Sequence, residues 1–529
     1  MKSLAAVFLC ICLSACTHIT KISESSSYVQ YISTEKLREH LAILASDSLE
    51  GREMATAGEH KTTAYISSVF HQLDLEQPAG TNNYLQSFDV VKDSLIDATI
   101  EINGKVFSLT TLGRIDPWLN NSTDFATDTI VFAGYGIDTL QYNDYANIDV
   151  KGKAILICEG EPRRDTSHYL ITGTNKRSSW SRYPNGNAKK LAAAKAHGAI
   201  AVFIFDPTLD SISPNYIKYA TGGFHPPREE EKQQHNICMV IGNRIADSLI
   251  PVDEYLRIYH TLDTKAPFTR YFSFSKPLRY HLKKETTHNT ANNVVGYIEG
   301  TDKRKEYVII SAHNDHLGIH NGMIYHGADD NGSGTSGLMN IAEAFAKAAA
   351  NGVRPRRSVI FLSVTGEEKG LYGSKHYVTH PLFPLEQTVA DVNTDMIGRV
   401  DSVHESRRDS NYLYIIGAGR LSSELYEINE RNNKEHVGLA LDYIFDSLND
   451  PNRFYYRSDH YEFAQRNIPI VFYFDGVHAD YHRPSDTFDK IDFPLMATRT
   501  RLAFLTAWEI ANREDRLKVD RHIDKPADN

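Results

Sequence analysis

The spacing of apolar residues changes along this chain, and these changes divide the sequence into segments. In residues 33–75 apolar residues recur at helical spacing, as with Leu37, Leu41 and Leu44, which predicts two amphipathic helices. Short apolar runs separated by polar loops then predict a β-rich segment from about 97 to 275. From about 290 to 513, continuous apolar runs alternate with helical patterns. This last pattern predicts buried strands of a largely parallel sheet.

The length and the change in texture together predict two domains. A chain of 529 residues exceeds what one hydrophobic core usually organises. We expect a discontinuous α/β domain of residues 28–96 and 276–513, interrupted by a β-rich insert over residues 97–275. Residues 514–529 are charged and show no periodicity, so we expect a loosely ordered tail.

Residues 1–16 have the pattern of an export signal. Lys2 precedes a short apolar stretch that is followed by Leu13-Ser14-Ala15-Cys16, a small-residue ending closed by Cys. The apolar stretch is too short to span a bilayer as a stable helix. The ending resembles a bacterial lipoprotein signal with Cys16 as the lipidated residue, and an ordinary secretory peptide is the alternative. We expect an outer-membrane or cell-envelope lipoprotein, facing the periplasm or the exterior, that meets the membrane only through its lipid anchor.

Composition excludes one class of partner and decides little else. Hydrophobic content of 41% and charged content of 23% are ordinary for a globular protein. The formal charge of -10 argues against a nucleic-acid partner, which would need a basic patch. Beyond the signal, Cys158 and Cys238 lie in apolar strand-like runs, and we interpret them as buried small hydrophobic residues without a bridge.

Candidate metal ligands lie at the ends of the apolar runs in the C-terminal half of the chain. They are three carboxylates and two imidazoles: His313, Asp330, Glu368, Asp395 and His482. Open α/β sheets bind ligands at the carboxyl ends of their strands. Zinc accepts imidazole nitrogen and carboxylate oxygen. The set fits two zinc ions if one carboxylate bridges them, and two such ions about 4 Å apart activate one water.

Each motif taken alone also has a structural explanation. Asp330, in the sequence ADDNGS, could simply belong to a helix N-terminus. Glu367 and Glu368 could be exposed, but adjacent carboxylates after a very apolar strand need cations or a shared proton. Asp315, two residues after His313, could orient that imidazole by accepting its other ring N–H.

Further polar motifs near these ligands are left out of the predicted site. His316, His320 and His326 form a His-rich loop, which we interpret as a solvated surface. The sequence Ser458-Asp459-His460 could hold another ligand. We interpret it as a helix cap or as a support for the ligands.

In this order and spacing, the motifs resemble those of the co-catalytic zinc aminopeptidases of metallopeptidase family 28. The resemblance covers roughly residues 33–95 and 285–512 and includes the segment LASDSLEGRE. It implies a zinc-exopeptidase fold, an α/β architecture with a mixed, largely parallel sheet between helices. The insert, with VFAGYGI and KAILICEGEP, resembles the protease-associated (PA) domain that many members of the family carry.

The resemblance also implies a role for each ligand. Two Zn²⁺ ions per chain would be bridged by Asp330, with His313 and Asp395 completing one site and Glu368 and His482 the other. No ligand position is substituted, which argues against an inactive homologue.

Two catalytic roles follow from the same resemblance. Glu367 would be the general base that takes a proton from the attacking water and passes it to the leaving amine. Tyr481, next to the last ligand, would help to stabilise the tetrahedral oxyanion. The resemblance further implies a cis peptide between Asp330 and Asn331.

The sequence therefore predicts a metallo-exopeptidase, most simply an aminopeptidase acting on a peptide substrate. The alternatives are a single-zinc glutaminyl cyclase, a carboxypeptidase or dipeptidase on the same fold, and a receptor-like binding protein without catalysis. Retention of Glu367 and of all five ligands argues against the first and the last of these. The insert could bind peptide, restrict access, support a homodimer or act as a spacer, and the sequence leaves these open.

Overall fold

The structure is a computed structural model that describes residues 25–115, 120, 122–182, 186–211, 222–227 and 237–521. Cys16 and the predicted signal lie outside the described residues. The chain divides into two compact units. Among the described residues, one unit contains those up to Asp89 together with those from Thr290 onward, and the other contains those from Val90 to Asn289. The sequence analysis placed the two domain boundaries at 96/97 and 275/276. In the structure the boundaries are at 89/90 and 289/290, inside the two long strands β1 and β9.

The strands are, in chain order, β1 (Leu85–Ile102), β2 (Lys105–Ser108), β3 (Gly113–Arg114), β4 (Thr123–Phe132), β5 (Ala154–Cys158), β6 (Ala201–Phe205), β7 (Gly222–His225), β8 (Ile237–Ile241), β9 (Phe272–Ile298), β10 (Lys303–His313), β11 (Gly318–His320), β12 (Met323–Tyr325), β13 (Arg357–Val364), β14 (Thr388–Thr394), β15 (Tyr412–Ile416), β16 (Ala440–Asp442) and β17 (Ile470–Phe474).

The α-helices are α1 (Ser25–Tyr28), α2 (Thr34–Leu44), α3 (Ala57–Gln72), α4 (Leu109–Leu112), α5 (Gly186–Ala196), α6 (Asn243–Leu249), α7 (Val252–Thr264), α8 (Gly334–Ala350), α9 (Tyr372–Thr379), α10 (Ser402–Arg407), α11 (Ser423–Asn432), α12 (His460–Ala464) and α13 (Phe493–Asn512). Within the described ranges, none of the helices has both the length and the apolar character needed to cross a membrane.

In the first unit the strand order is β16-β15-β17-β14-β10-β13-β9. Strand β10 pairs in parallel with β13 and β14, and β14 pairs in parallel with β17. Strands β9 and β15 are antiparallel to their neighbours β13 and β17. The carboxyl ends of the four parallel strands therefore meet at one edge of the sheet.

Helices cover both faces of this sheet. Val308 and Ile310 of β10 pack into one core with α8 and α13, in which Trp508 is 1% exposed. Ile309, between them, points to the other face and joins a second core with Tyr377 of α9. Alternate residues of a strand face opposite sides, so a strand that is apolar throughout requires two covered faces. The prediction of a mixed, largely parallel sheet between helices is confirmed.

The two predicted N-terminal helices correspond to α2 and α3. Ser33 caps α2, because its Oγ accepts a hydrogen bond from the Lys36 backbone N–H at 3.2 Å. The apolar face of α2 then buries Leu37, Leu41 and Leu44 in the same core as α8 and α13.

The second unit has its own core. Strands β4, β5, β6 and β8 lie side by side in parallel, with the N-terminal part of β9 antiparallel to β4 and β3 antiparallel to β8. Every residue of β5, β6 and β8 is buried. Cys158 and Cys238 are buried in two of these strands, and no disulfide joins them.

The expectation of a loosely ordered tail is wrong for residues 514–521. Leu517 is 6% exposed and belongs to the core of the first unit. Glu514 also forms an ion pair with Arg356 at 2.6 Å. A segment that docks through one leucine and a few charged contacts has no hydrophobic period, so its sequence pattern cannot reveal the docking.

Candidate metal centre

The four parallel strands deliver the predicted ligands to one edge of the sheet. His313 is the last residue of β10, and Asp395 follows β14 directly. Strand β13 leads into Gly366, whose φ of 78° permits the turn into the short helix Glu367–Lys369. His482 lies in the loop after β17. The shared strand direction is what brings together residues that are far apart in sequence.

Asp330 lies in the irregular helical segment Ala328–Ser333 that precedes α8, and the Asp330–Asn331 peptide is cis, as the resemblance implied. The backbone N–H groups of Asp329 and Asp330 both donate to Asp486 Oδ2, at 3.0 and 3.2 Å. The carboxylate of Asp329 instead accepts from the backbone N–H of Gly398 at 2.7 Å. These contacts leave the carboxylate of Asp330 facing the candidate ligands.

The Asp330 carboxylate stands between two groups of donor atoms. Its Oδ1 lies 3.4 Å from His313 Nε2, which is also 3.3 Å from Asp395 Oδ1. Its Oδ2 lies 3.1 Å from His482 Nε2, which is also 3.1 Å from Glu368 Oε2. The donor atoms of His313, Asp330 and Asp395 all lie within 4.8 Å of one another. One carboxylate with an oxygen toward each group has the arrangement of a bridging ligand.

The electrostatics of the cluster match a site built for cations. Burial lowers the pKa of His482, but the nearby Glu368 and Asp330 carboxylates outweigh it and raise that pKa to about 10. Burial raises the pKa of Asp330, but the imidazoles of His313 and His482 hold it well below its usual range. Glu368 Oε1 is buried without a hydrogen bond among the described residues. Imidazole nitrogens and carboxylate oxygens converging in this way fit zinc.

Glu367 lies beside the candidate ligands and is not one of them. Burial, with added repulsion from Glu368 and Asp395, raises the pKa of Glu367 well above its usual range, against the attraction of His313. Asp315 fixes the turn that carries the pair, since its carboxylate accepts from the backbone N–H of Glu367 at 3.1 Å and of Glu368 at 3.4 Å. A carboxyl group with a raised pKa can accept and return a proton near neutral pH.

The predicted contact between Asp315 and His313 needs a correction. His313 Nδ1 lies 3.1 Å from the backbone carbonyl of Asp315 and 3.7 Å from its carboxylate. The carbonyl is therefore the acceptor that orients this imidazole. The carboxylate is directed at the turn carrying the glutamates.

Tyr481 and a pocket complete the surroundings. The Tyr481 ring stacks on His482 with centroids 3.9 Å apart, and its hydroxyl accepts from Arg457 Nη2 at 3.2 Å. Beside Asp330, Glu367 and Asp395 lies a pocket whose apolar walls are Met396, Phe454, Phe472, Phe474 and Val477.

The sequence analysis missed one histidine of this cluster. His316 was interpreted as part of a solvated loop, but it is fully buried, with Nδ1 2.8 Å from Glu368 Oε1 and 3.8 Å from Asp330 Oδ2. Of the other two histidines of the loop, His326 contacts Asp47 at 2.7 Å. The available signal was the spacing of His316, three residues after a ligand at a buried strand end.

Arg52, in the LASDSLEGRE segment, is a second residue whose structural role the sequence analysis missed. Its buried guanidinium donates to four backbone carbonyls, those of Leu44, Asn314, His326 and Gly327, at 2.5 to 2.9 Å. Asn314 follows a predicted ligand and Gly327 precedes the Asp330 segment. Arg52 thereby ties the segment after α2 to both ligand-bearing loops.

Fold and site together define a class of protein, an α/β domain with two groups of candidate metal ligands at the carboxyl ends of its parallel strands. The profile of Peptidase family M28 matches residues 293–507, and this part of the chain belongs to that family. The matched range begins in β9 and ends in α13, and it contains every predicted ligand. The predicted family is confirmed.

The curated relatives are matched over part of their length. The chain is 26% identical to "Aminopeptidase YwaD" of Bacillus subtilis (strain 168) over 244 residues, which is 45% of this chain and 48% of the relative. The chain thus spans about half of that relative.

Solved structures resemble this chain in fold over most of its length. The aminopeptidase from Aneurinibacillus sp. strain AM-1 superposes with a TM-score of 0.58 at 17% identity, covering 94% of this chain and 98% of that one. A zinc aminopeptidase from Bacillus subtilis gives a TM-score of 0.51 at 19% identity, covering 92% and 97%. At these identities the likeness supports the fold that the sequence predicted.

Proposed function

We propose that this chain is a zinc-dependent aminopeptidase that holds two Zn²⁺ ions and removes N-terminal residues from peptides. The observation that best supports this proposal is that the two carboxylate oxygens of Asp330 face two separate groups of donor atoms. His313 and Asp395 would hold one ion with it, and Glu368 and His482 the other. The family match and the aminopeptidases among the similar proteins support the same activity.

The residues of the site would divide the chemistry among them. Bound zinc supplies a water of lowered pKa and positive charge for a developing oxyanion. Glu367 takes the proton of the attacking water and delivers it to the leaving amine. The Tyr481 hydroxyl, held by Arg457, stabilises the oxyanion by a hydrogen bond.

The pocket beside the cluster supports a preference for an apolar N-terminal residue. Its walls are largely aromatic and aliphatic, and its lining also includes the acidic side chains of Asp330, Glu367 and Asp395. The amine of the substrate would lie near these side chains, beside the bound zinc. The first side chain of the peptide then extends along the apolar walls.

One peptide in four forms tests this proposal. We expect a Leu-headed peptide with a free amine to be cleaved whether its C-terminus is free or amidated. Acetylating its N-terminus should abolish cleavage, because an acetylated nitrogen can no longer bind at the zinc centre as a free amine. The assay is run with and without added zinc, and equal cleavage of the free and the acetylated peptide would contradict the proposal.

A carboxypeptidase or dipeptidase is the second candidate, favoured by one observation. Arg457 places an exposed guanidinium at the pocket, where it could hold a substrate carboxylate. In this case amidation of the C-terminus, and not acetylation of the amine, would stop cleavage. Zinc content separates a further alternative, since a glutaminyl cyclase would carry one zinc per chain.

The N-terminal motif supports a lipid anchor, which remains a proposal. If Cys16 carries lipid, wild-type protein fractionates with membranes and Cys16→Ser does not. Wild-type protein found only in the soluble fraction would contradict the anchor. The identity of the Val90–Asn289 unit as a PA domain, and its use in homodimer formation, are likewise proposals.

A further inference from the structure

His316 is a buried histidine beside the candidate metal ligands, and the proposed function assigns it no role. It is fully buried, and neither of its ring nitrogens makes a hydrogen bond within the described part of the chain. An imidazole buried without a partner is costly. The nearest acceptor, Glu368 Oε1, is 2.8 Å from Nδ1 but lies outside hydrogen-bond geometry. Close approach without that geometry is expected when two donor atoms are directed at a common ion.

The distances around Glu368 are compatible with one ion and four protein ligands. Each carboxylate oxygen of Glu368 faces one imidazole: Oε1 faces His316 Nδ1 at 2.8 Å, and Oε2 faces His482 Nε2 at 3.1 Å. Asp330 Oδ2 lies 3.8 Å from the first nitrogen and 3.1 Å from the second. Zinc binds nitrogen and oxygen at about 2.0–2.2 Å, so two ligands of one ion lie no more than about 4.4 Å apart.

We propose that His316, through Nδ1, is a fourth protein ligand of the zinc ion held by Asp330, Glu368 and His482. This inference rests on the proposed two-zinc function. The two sides of the centre then differ, with four protein ligands on the Glu368 side and three, His313, Asp330 and Asp395, on the other. An open coordination position, which catalytic zinc requires, falls on the three-ligand side.

X-ray absorption fine structure of the two-zinc protein tests the ligand count directly. We expect three imidazoles per two zinc ions in the wild type, from His313, His316 and His482, and two in His316→Ala. His320→Ala is the matched control, a histidine of the same loop, and should keep three. Two imidazoles in the wild type, or an unchanged count in His316→Ala, would overturn the proposal.

Zinc affinity gives a second readout that does not depend on activity. Loss of a residue that only supports a ligand typically weakens metal binding by 10–100-fold. We expect His316→Ala to lower the affinity for one of the two zinc ions by more than about 100-fold, while the other ion stays bound. Competition with a chelator measures both affinities. A smaller loss would assign His316 to holding Glu368 and overturn its role as a ligand.

The outcomes separate this inference from the function on which it rests. A wild type that binds two zinc ions and cleaves peptides, with only two imidazoles, refutes the fourth ligand alone. A wild type that binds fewer than two zinc ions refutes both. Because the wild type is itself measured, the test stands even if His316→Ala fails to fold.

Discussion

Both compact units bury carboxylates, but they satisfy the charge in opposite ways. In the Val90–Asn289 unit, Asp144 is 1% exposed and accepts four hydrogen bonds. The donors are the backbone N–H groups of Tyr135 and Ile137 and the hydroxyls of Tyr142 and Tyr271, at 2.7 to 3.0 Å. In the other unit, Asp330 faces imidazoles that are shared with further carboxylates.

This difference distinguishes Asp144, a carboxylate that supports the fold, from Asp330, a carboxylate arranged to bind a cation. Asp144 has its own donors and needs nothing from solution, although burial still raises its pKa to about 6. The Asp330 cluster gathers acidic groups that repel one another unless a cation lies among them. Burial alone therefore does not mark a functional carboxylate; the kind of partner does.

The largest effect is expected at Glu367, and it tests whether the acidic cluster is reactive. Glu367→Gln should lower turnover on the order of 10²–10⁴-fold while the zinc content stays at the wild-type value, since the five predicted ligands remain. Zinc by elemental analysis and initial rates measure both quantities. Glu427→Gln, an exposed surface glutamate, is the control.

Replacing the neighbouring residue, Glu368, should affect zinc content as well as activity. Glu368→Gln should lose zinc, because an amide is a poorer ligand than a carboxylate, and added zinc should partly restore its activity. Zinc loss in Glu367→Gln together with full zinc in Glu368→Gln would reverse the two roles.

An intermediate effect is expected from a matched pair of Asp→Asn variants. Asp144→Asn should lower the free energy of unfolding by roughly 1–3 kcal/mol, because donors in the buried site lose their charged acceptor, and it should leave zinc uptake unchanged. Asp330→Asn should abolish the rise in melting temperature that zinc gives the metal-free wild type. Thermal unfolding with and without zinc measures both. A zinc response that survives in Asp330→Asn would remove the distinction between the two regions.

The smallest effect concerns Glu59, a buried carboxyl that belongs to neither class. Burial raises its pKa to about 8, and its Oε1 accepts from the backbone N–H of Asn292 at 3.1 Å. The folded state therefore binds the proton more tightly than the unfolded state, and stability should fall as pH rises from about 4.5 to about 8.

Replacing Glu59 by Gln isolates this contribution. The variant should show a flatter pH dependence than the wild type, by at most about 1.4 kcal/mol per pH unit. Urea unfolding at a series of pH values measures the slope, with Glu427→Gln as the exposed control. Identical slopes for Glu59→Gln and the wild type would show that Glu59 is ionised in the folded protein.

The sequence was most informative where burial is continuous. Fully apolar runs identify strands covered on both faces, so the carboxyl ends of β10, β13 and β14, and with them His313, Glu368 and Asp395, could be located. Sequence pattern could not separate Asp329 from Asp330, since adjacent residues share the same turn. The resemblance pointed to Asp330, and the contacts of Asp329 with Gly398 and of both backbone N–H groups with Asp486 account for it.

Several features were beyond the reach of sequence pattern because they depend on distant partners. His316 lies in a polar, His-rich loop and has the pattern of a solvated residue until the loop folds over Glu368. Arg52 donates to backbone carbonyls, which any residue carries, so nothing in the sequence identifies its acceptors. Leu517 docks without any period around it.

The sequence by itself determined where the buried strands end and which types of candidate ligand lie there, because hydrophobic spacing and side-chain chemistry are local properties of the chain. The tertiary structure alone decided which oxygen of Asp330 faces which imidazole, that Asp315 supports the glutamate turn, and that His316 joins the centre. These outcomes depend on where separate strands and loops bring their side chains. That placement is set by packing between segments that are distant in sequence.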